Sequence, residues 1–150
     1  MHGLHLTADL HGCPAERAEL TDTKALRTLC LASVHEAGLQ PVGELFHRFA
    51  PPSAVSLSAT PNAPVGITGV VLLAESHVAV HTWPERAAVT LDVYVCNLGA
   101  DNSARAHVLM DRLIAAFEPA HAERHALQRG RAVVGEADFA VSGPRVGAGA

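Results

Sequence analysis

Apolar and polar residues alternate at the start of the chain. Leu4, Leu6, Ala8 and Leu10 fall on one side of an extended backbone; His5, Thr7, Asp9 and His11 fall on the other. A period of two marks a half-buried strand, and Gly12, Cys13 and Pro14 end it. The period then changes. Leu26, Cys30, Ser33, Val34 and Ala37 recur at helical spacing and predict a helix over 22–37. Thr21 or Asp22 can accept a backbone N–H at its start. Gly38 followed by Leu39 fits a left-handed end with an apolar follower, and Pro41 blocks continuation. Cys30 lies on the apolar stripe and reads as core filler.

Residues 42–50 predict a second strand with looser alternation. Residues 51–65, PPSAVSLSATPNAPV, hold four prolines and no charge. They predict a loop, long enough to be functional or mobile. A third strand is expected over 66–74, and 77–82 with 88–96 form an antiparallel pair around Pro84–Ala87. Ala106, Met110, Leu113 and Phe117 give one face of a helix over 103–117, with Asn102 or Ser103 as cap and Pro119 as stop. A last strand is expected at 126–134. The stretch 137–150 is rich in Gly and Ala, lacks periodicity, and predicts a disordered tail.

Strand, helix, several strands, helix, strand is the order of an α+β fold. It predicts a two-layer sandwich: a mostly antiparallel sheet with two helices on one face. The sheet's other face would carry His5, Thr7 and Asp9 beside the polar side of the central pair. Such a face is solvated, paired with another subunit, or a site.

The length of 150 residues suits one domain, expected over 1–136, and a net charge of −4 gives no electrostatic reason to expect nucleic acid or an anionic membrane. Cys13, Cys30 and Cys96 are odd in number and widely spaced, which argues for a reducing compartment. The start, MHGLHLTADLHG, lacks a basic flank followed by an apolar core. No apolar run approaches the ~20 residues of a membrane span. The expected location is the cytoplasm.

Candidate chemistry gathers between Gly66 and Cys96. Pairing the strands around Pro84–Ala87 sets Val78, Val80 and Thr82 against Val93, Leu91 and Val89, which makes that the core face. The same register sets His77 against Tyr94 and His81 against Thr90, and brings Cys96 opposite Glu75, next to Ser76. A thiol thus meets a Glu–Ser peptide bond, and a serine hydroxyl can attack the carbonyl before it. The ester so formed can eliminate and leave a dehydroalanine that hydrolyses to a pyruvoyl group. The intramolecular geometry removes an entropic barrier of up to ~7–11 kcal/mol. Thr68 can donate to the developing oxyanion, His81 can move protons, and Cys96 is placed to return a proton to a carbanion. A zinc ion on His77, His81 and Cys96 is disfavoured, because residues four apart on a strand lie ~13 Å apart. No metal is expected.

The run AESHVAVHTWPE, with DVYVC after it, resembles the prokaryotic S-adenosylmethionine decarboxylase proenzyme family. The resemblance extends to HLTADLHGC, ELFHRFA and GITGVV and covers about residues 4–118. It implies cleavage between Glu75 and Ser76, giving a β chain of 1–75 and an α chain of 76–150 that starts with a covalent pyruvoyl cofactor. It implies that this group forms a Schiff base with S-adenosylmethionine and drives its decarboxylation for spermidine synthesis. The processing histidine matches His81, and the proton donor matches Cys96. Thr68 stands where a serine assisting processing is usual, and keeps the hydroxyl. Phe49 and Trp83 match adenine-stacking positions, and Glu85 is the candidate for the ribose hydroxyls. A homodimer is implied, formed through the sheets or their edges. Three features depart from the family: the long loop 51–65, Asn97 where glycine usually follows the cysteine, and the tail. Packing roles for Phe49 and Trp83 and a solvated role for Glu85 are the alternatives, and His77 is not called catalytic. At the level of function the alternatives are a pyruvoyl-dependent arginine or ornithine decarboxylase, and an uncut binding homologue.

Overall fold

The computed structural model describes residues 2–49 and 65–130. Strand β1 (Gly3–His11) leads, through a short 3-10 turn, to helix α1 (Thr23–Glu36). Strands β2 (Pro41–Arg48), β3 (Ile67–Leu73), β4 (Ser76–Trp83) and β5 (Ala88–Cys96) follow. Helix α2 (Ser103–Phe117) and strand β6 (His121–Arg129) end the described chain. One six-stranded sheet runs β2-β3-β4-β5-β1-β6, with every neighbouring pair antiparallel. This is the α+β fold the pattern predicts.

Both helices cover one face. Helix α1 lies on β2 and β3, α2 lies on β1 and β5, and the helices touch each other. Leu26, Cys30 and Val34 of α1 and Leu109, Met110, Leu113 and Phe117 of α2 are buried there. They pack with Leu6, Leu10, Val71, Val78, Val80, Leu91 and Val93 from the sheet. The alternation of β1 is realised in full: its four apolar residues are buried, and His5, Thr7, Asp9 and His11 face away.

Local signals set the ends of α1. Asp22 Oδ1 accepts from the N–H groups of Lys24 and Ala25 at 2.8 and 3.3 Å. Gly38 takes φ 73°, and the Leu39 N–H donates to the Val34 carbonyl. Burial pushes the Cys30 thiol up to about 12, with Glu44 adding to the shift. That suits core filler and not a nucleophile.

The last strand departs from expectation. It begins at His121, not 126, runs to Arg129 and pairs β1 from His11–His121 to Gly3–Arg129; positions 131–134 of the expected strand lie outside the described residues. As an edge strand it has every residue exposed except half-buried Ala122, so burial writes no alternation into its sequence. Helix α2 starts as expected with Asn102 as its N-cap, but the Asn102 side chain makes no capping bond, and Asp101 Oδ1 accepts the Ser103 N–H. The proline-rich segment, apart from Val65, and the stretch 137–150 lie outside the described residues. Among the described residues no helix is long and apolar enough to cross a membrane.

Candidate active site

The open face of the sheet holds the polar residues, and they divide between its two ends. At one end the turn Ala74–Glu75 joins β3 to β4, and Ser76 enters β4 with φ 158°. Three hydrogen bonds hold this turn. The Ala74 N–H donates to the Gln40 carbonyl at 2.9 Å, and the Gln40 N–H donates to Glu75 Oε2 at 3.2 Å. The Cys96 N–H donates to the Glu75 carbonyl at 2.8 Å. The carbonyl of the Glu75–Ser76 linkage therefore already accepts from a fixed donor. Ser76 Oγ lies 3.3 Å from His77 Nδ1.

Next to His77, side chains from four strands cluster on the open face. Tyr94 lies between His77 and His5, with ring centroids 5.8 Å from each. His5 Nε2 is 3.1 Å from Asp92 Oδ1, and the Arg129 guanidinium stands 5.0 Å from the Tyr94 ring. A Cβ at Gly3 would come within 2.8 Å of the Tyr94 hydroxyl, so glycine there leaves room for the ring. The hairpin register predicts the His77–Tyr94 pairing. His5 and Asp92 are 87 residues apart, and no local pattern announces that β1 lies beside β5.

At the other end Thr68 Oγ1 is 2.6 Å from His81 Nδ1, and the two residues pair across β3 and β4. His81 follows Ser76 by five residues on one strand, which sets them ~16 Å apart. Proton transfer needs hydrogen-bond contact. Within one chain the structure brings Cys96 to the Glu75–Ser76 bond and Thr68 to His81, but does not bring the two pairs together.

The binding candidates belong to the His81 end. Phe49 is 38% exposed, lies edge-on to His47 at 5.0 Å, and donates its N–H to the Gly66 carbonyl. Trp83 closes β4 and lines a cleft of about 570 Å³ with His11, Arg86, Ala88 and Thr90. Glu85 is exposed in the short turn Pro84–Arg86. A smaller hollow of about 160 Å³ opens over Thr68, His81 and His47. Among the described residues no three His, Cys, Asp or Glu side chains gather as a metal site.

The model of the S-adenosylmethionine decarboxylase family matches residues 4–130. The S-adenosylmethionine decarboxylase proenzyme of Aquifex aeolicus (strain VF5) is 34% identical over 128 residues, covering 85% of this chain and 81% of its own length. A proenzyme of the same name from Picrophilus torridus is 28% identical over 144 residues, or 96% of this chain and 95% of its own. The crystal structure of the adenosylmethionine decarboxylase from Aquifex aeolicus VF5 matches with a TM-score of 0.71 and 32% identity. That match covers 91% of this chain and 97% of that one. In sequence and in fold alike, the chain belongs to the S-adenosylmethionine decarboxylase family.

Proposed function

We propose that the chain cuts itself between Glu75 and Ser76 and then decarboxylates S-adenosylmethionine, releasing CO2 and the aminopropyl donor of spermidine synthesis. The observation that carries this is the Cys96 N–H held 2.8 Å from the Glu75 carbonyl, beside Ser76. When the Ser76 hydroxyl attacks that carbonyl carbon, charge grows on the carbonyl oxygen, and the Cys96 amide already points at it. Such a donor needs no reorganisation during the reaction.

The Ser76 proton needs an acceptor and the departing nitrogen needs a proton. His81 suits both, and the Thr68 hydroxyl at 2.6 Å fixes its ring. At ~16 Å it cannot serve the serine of its own chain. A second copy, packed open face to open face about a two-fold axis, sets one copy's Thr68–His81 end over the other's Ser76 end. The working unit is then a homodimer with two shared sites. Each cut divides the domain 1–136 into a β chain of 1–75 and an α chain of 76–150 that carries the tail 137–150.

A pyruvoyl group made from Ser76 would sit at the first residue of β4, where pairing to Leu73 and Val95 on the flanking strands fixes it. Such a group supplies a ketone that takes up the substrate amine and accepts the electron pair freed as CO2 leaves. Cys96 returns a proton to the substrate carbon. Phe49 and Trp83 offer faces for adenine, and the Glu85 carboxylate accepts from both ribose hydroxyls. This set of binding groups favours a nucleoside over free arginine or ornithine. The proposed location is the cytoplasm.

Whole-protein mass and CO2 release test the proposal. Purified chain should give two fragments, and Ser76→Ala should stay whole. Labelled S-adenosylmethionine should yield CO2 where labelled arginine and ornithine do not. A Ser76→Ala chain that splits at this bond, or CO2 from an amino acid alone, overturns it.

A further inference from the structure

Cys96 is the last residue of β5, where a sheet ladder ordinarily frays. Here both of its backbone groups are tied. Its N–H donates to the Glu75 carbonyl, and its own carbonyl accepts from Asn102 Nδ2 at 3.1 Å. Asn102 is only 4% exposed, although it sits at the start of a helix. As N-cap of α2 its side chain makes no capping bond, and Asp101 Oδ1 accepts the Ser103 N–H.

The orientation of Asn102 is set from two directions. Arg105 Nη1 donates to its Oδ1 at 3.3 Å, so Nδ2 is the atom turned to Cys96. Its own N–H donates to Asn97 Oδ1 at 2.9 Å. Asn97 is anchored in turn: Nδ2 donates to Ser103 Oγ at 3.0 Å, and its N–H donates to the His2 carbonyl at 2.8 Å. Asn97 is the residue that stands where the family resemblance leads one to expect glycine. The side chain gained there extends the support of Cys96.

We propose that Asn102, aligned by Asn97 and Arg105, is a positioning residue that fixes the backbone of Cys96 for self-cleavage and for turnover. This rests on the proposed function above. Tying the peptide on each side of Cys96 fixes its φ and ψ, and with them the direction of its Cα–Cβ bond. One constraint then serves two steps. The N–H stays on the Glu75 carbonyl while the bond is cut, and the thiol keeps its direction when it later returns a proton.

The test uses full-length Asn102→Asp. This variant keeps the side chain's size and its acceptor for Arg105, but turns an oxygen instead of an N–H towards the Cys96 carbonyl. The first-order rate of self-cleavage, followed by mass, should fall about tenfold or more. In the cut fraction kcat should fall by a similar factor, with KM within about twofold of wild type, because Asn102 does not touch substrate. Asn97→Ala should move both rates the same way by less. Asn97→Asp keeps an acceptor for the Asn102 N–H and should restore them. A role confined to fold stability would lower Tm and leave both rates of folded protein unchanged. Folded Asn102→Asp with wild-type cleavage rate and kcat overturns the inference and leaves the functional proposal intact. If Asn102→Asp does not fold, Asn97→Ala at wild-type rates overturns it equally. A wild-type chain that stays whole overturns both.

Discussion

The separation of Ser76 from His81 makes a quantitative prediction about mixed dimers. The residues stand five positions apart on β4, ~16 Å, whereas proton transfer works at ~3 Å. No side-chain rotation closes that gap, so under the proposed mechanism the histidine comes from another copy. Consider Ser76→Ala and His81→Ala chains, each unable to cut as a homodimer. Expressed together in equal amounts, about half of all dimers contain one chain of each kind. In a mixed dimer one site pairs an intact serine with an intact histidine, and the other site lacks both. The intact serine lies on the His81→Ala chain. About half of the His81→Ala chains should therefore be cut, while no Ser76→Ala chain is cut. Tags of different mass on the two chains let one spectrum read both populations. Action within a single chain predicts no cutting of either. Mixed dimers that form, as seen by co-purification through one tag, yet stay whole would refute shared sites. So would a His81→Ala chain that cuts by itself at the wild-type rate.

Three further outcomes follow from the geometry around the thiols. Cys96→Ala keeps the backbone N–H on the Glu75 carbonyl, so its chain should still cut; CO2 release should fall ~10²–10⁴-fold with the proton donor gone. Cleavage stopping together with turnover would mean that the thiol also acts in the cutting step. Cys13 and Cys30 are buried, and burial raises both thiols, so a thiol reagent should label folded protein only at Cys96 and denatured protein at all three. The same burial gives a pH dependence. From the ordinary thiol range up to about 12 the unfolded Cys30 has lost its proton and the folded one has kept it. The contribution is complete below that window and stability falls as pH rises through it. The urea midpoint should drop between pH 8 and pH 10, and Cys30→Ala should flatten that slope; parallel slopes would refute it.

What the sequence reveals follows from where burial is strong. The period-two strands and the stripe of α1 are legible because one face of each is covered, and covering writes an alternation or a 3.6-residue period into the chain. The hairpin register is legible for the same reason: a slip of one residue would put His77 and His81 into the core. β6 is not legible, since an edge strand with eight of its nine residues exposed carries no such imprint. The Asn97–Asn102 bracket is hidden for another reason. Asparagines after a strand read as turn formers, and only the folded chain brings one amide back to Cys96. The short run from Glu75 to Glu85 holds the proposed Ser76 and His81, but distances along a strand decide which groups can meet.

The proposed division of the site between two copies has a consequence for when the cut occurs. The Ser76 end holds the Cys96 N–H on the Glu75 carbonyl but lacks the Thr68–His81 pair, so under the proposed mechanism a folded single chain carries half of what the reaction needs. Cutting then waits for assembly. That order protects the fold, because the linkage joins β3 and β4, two adjacent central strands of the sheet. Broken before folding, it would leave 1–75 and 76–150 to find each other as separate chains. Broken afterwards, the ladders that β4 makes with β3 and β5 already hold both pieces in register. The initial rate of cutting in dilute, freshly folded protein should therefore rise with more than the first power of chain concentration until dimers saturate. A rate per chain that is the same across a hundredfold dilution into the monomer range would place all the necessary groups in one copy, against the geometry of β4.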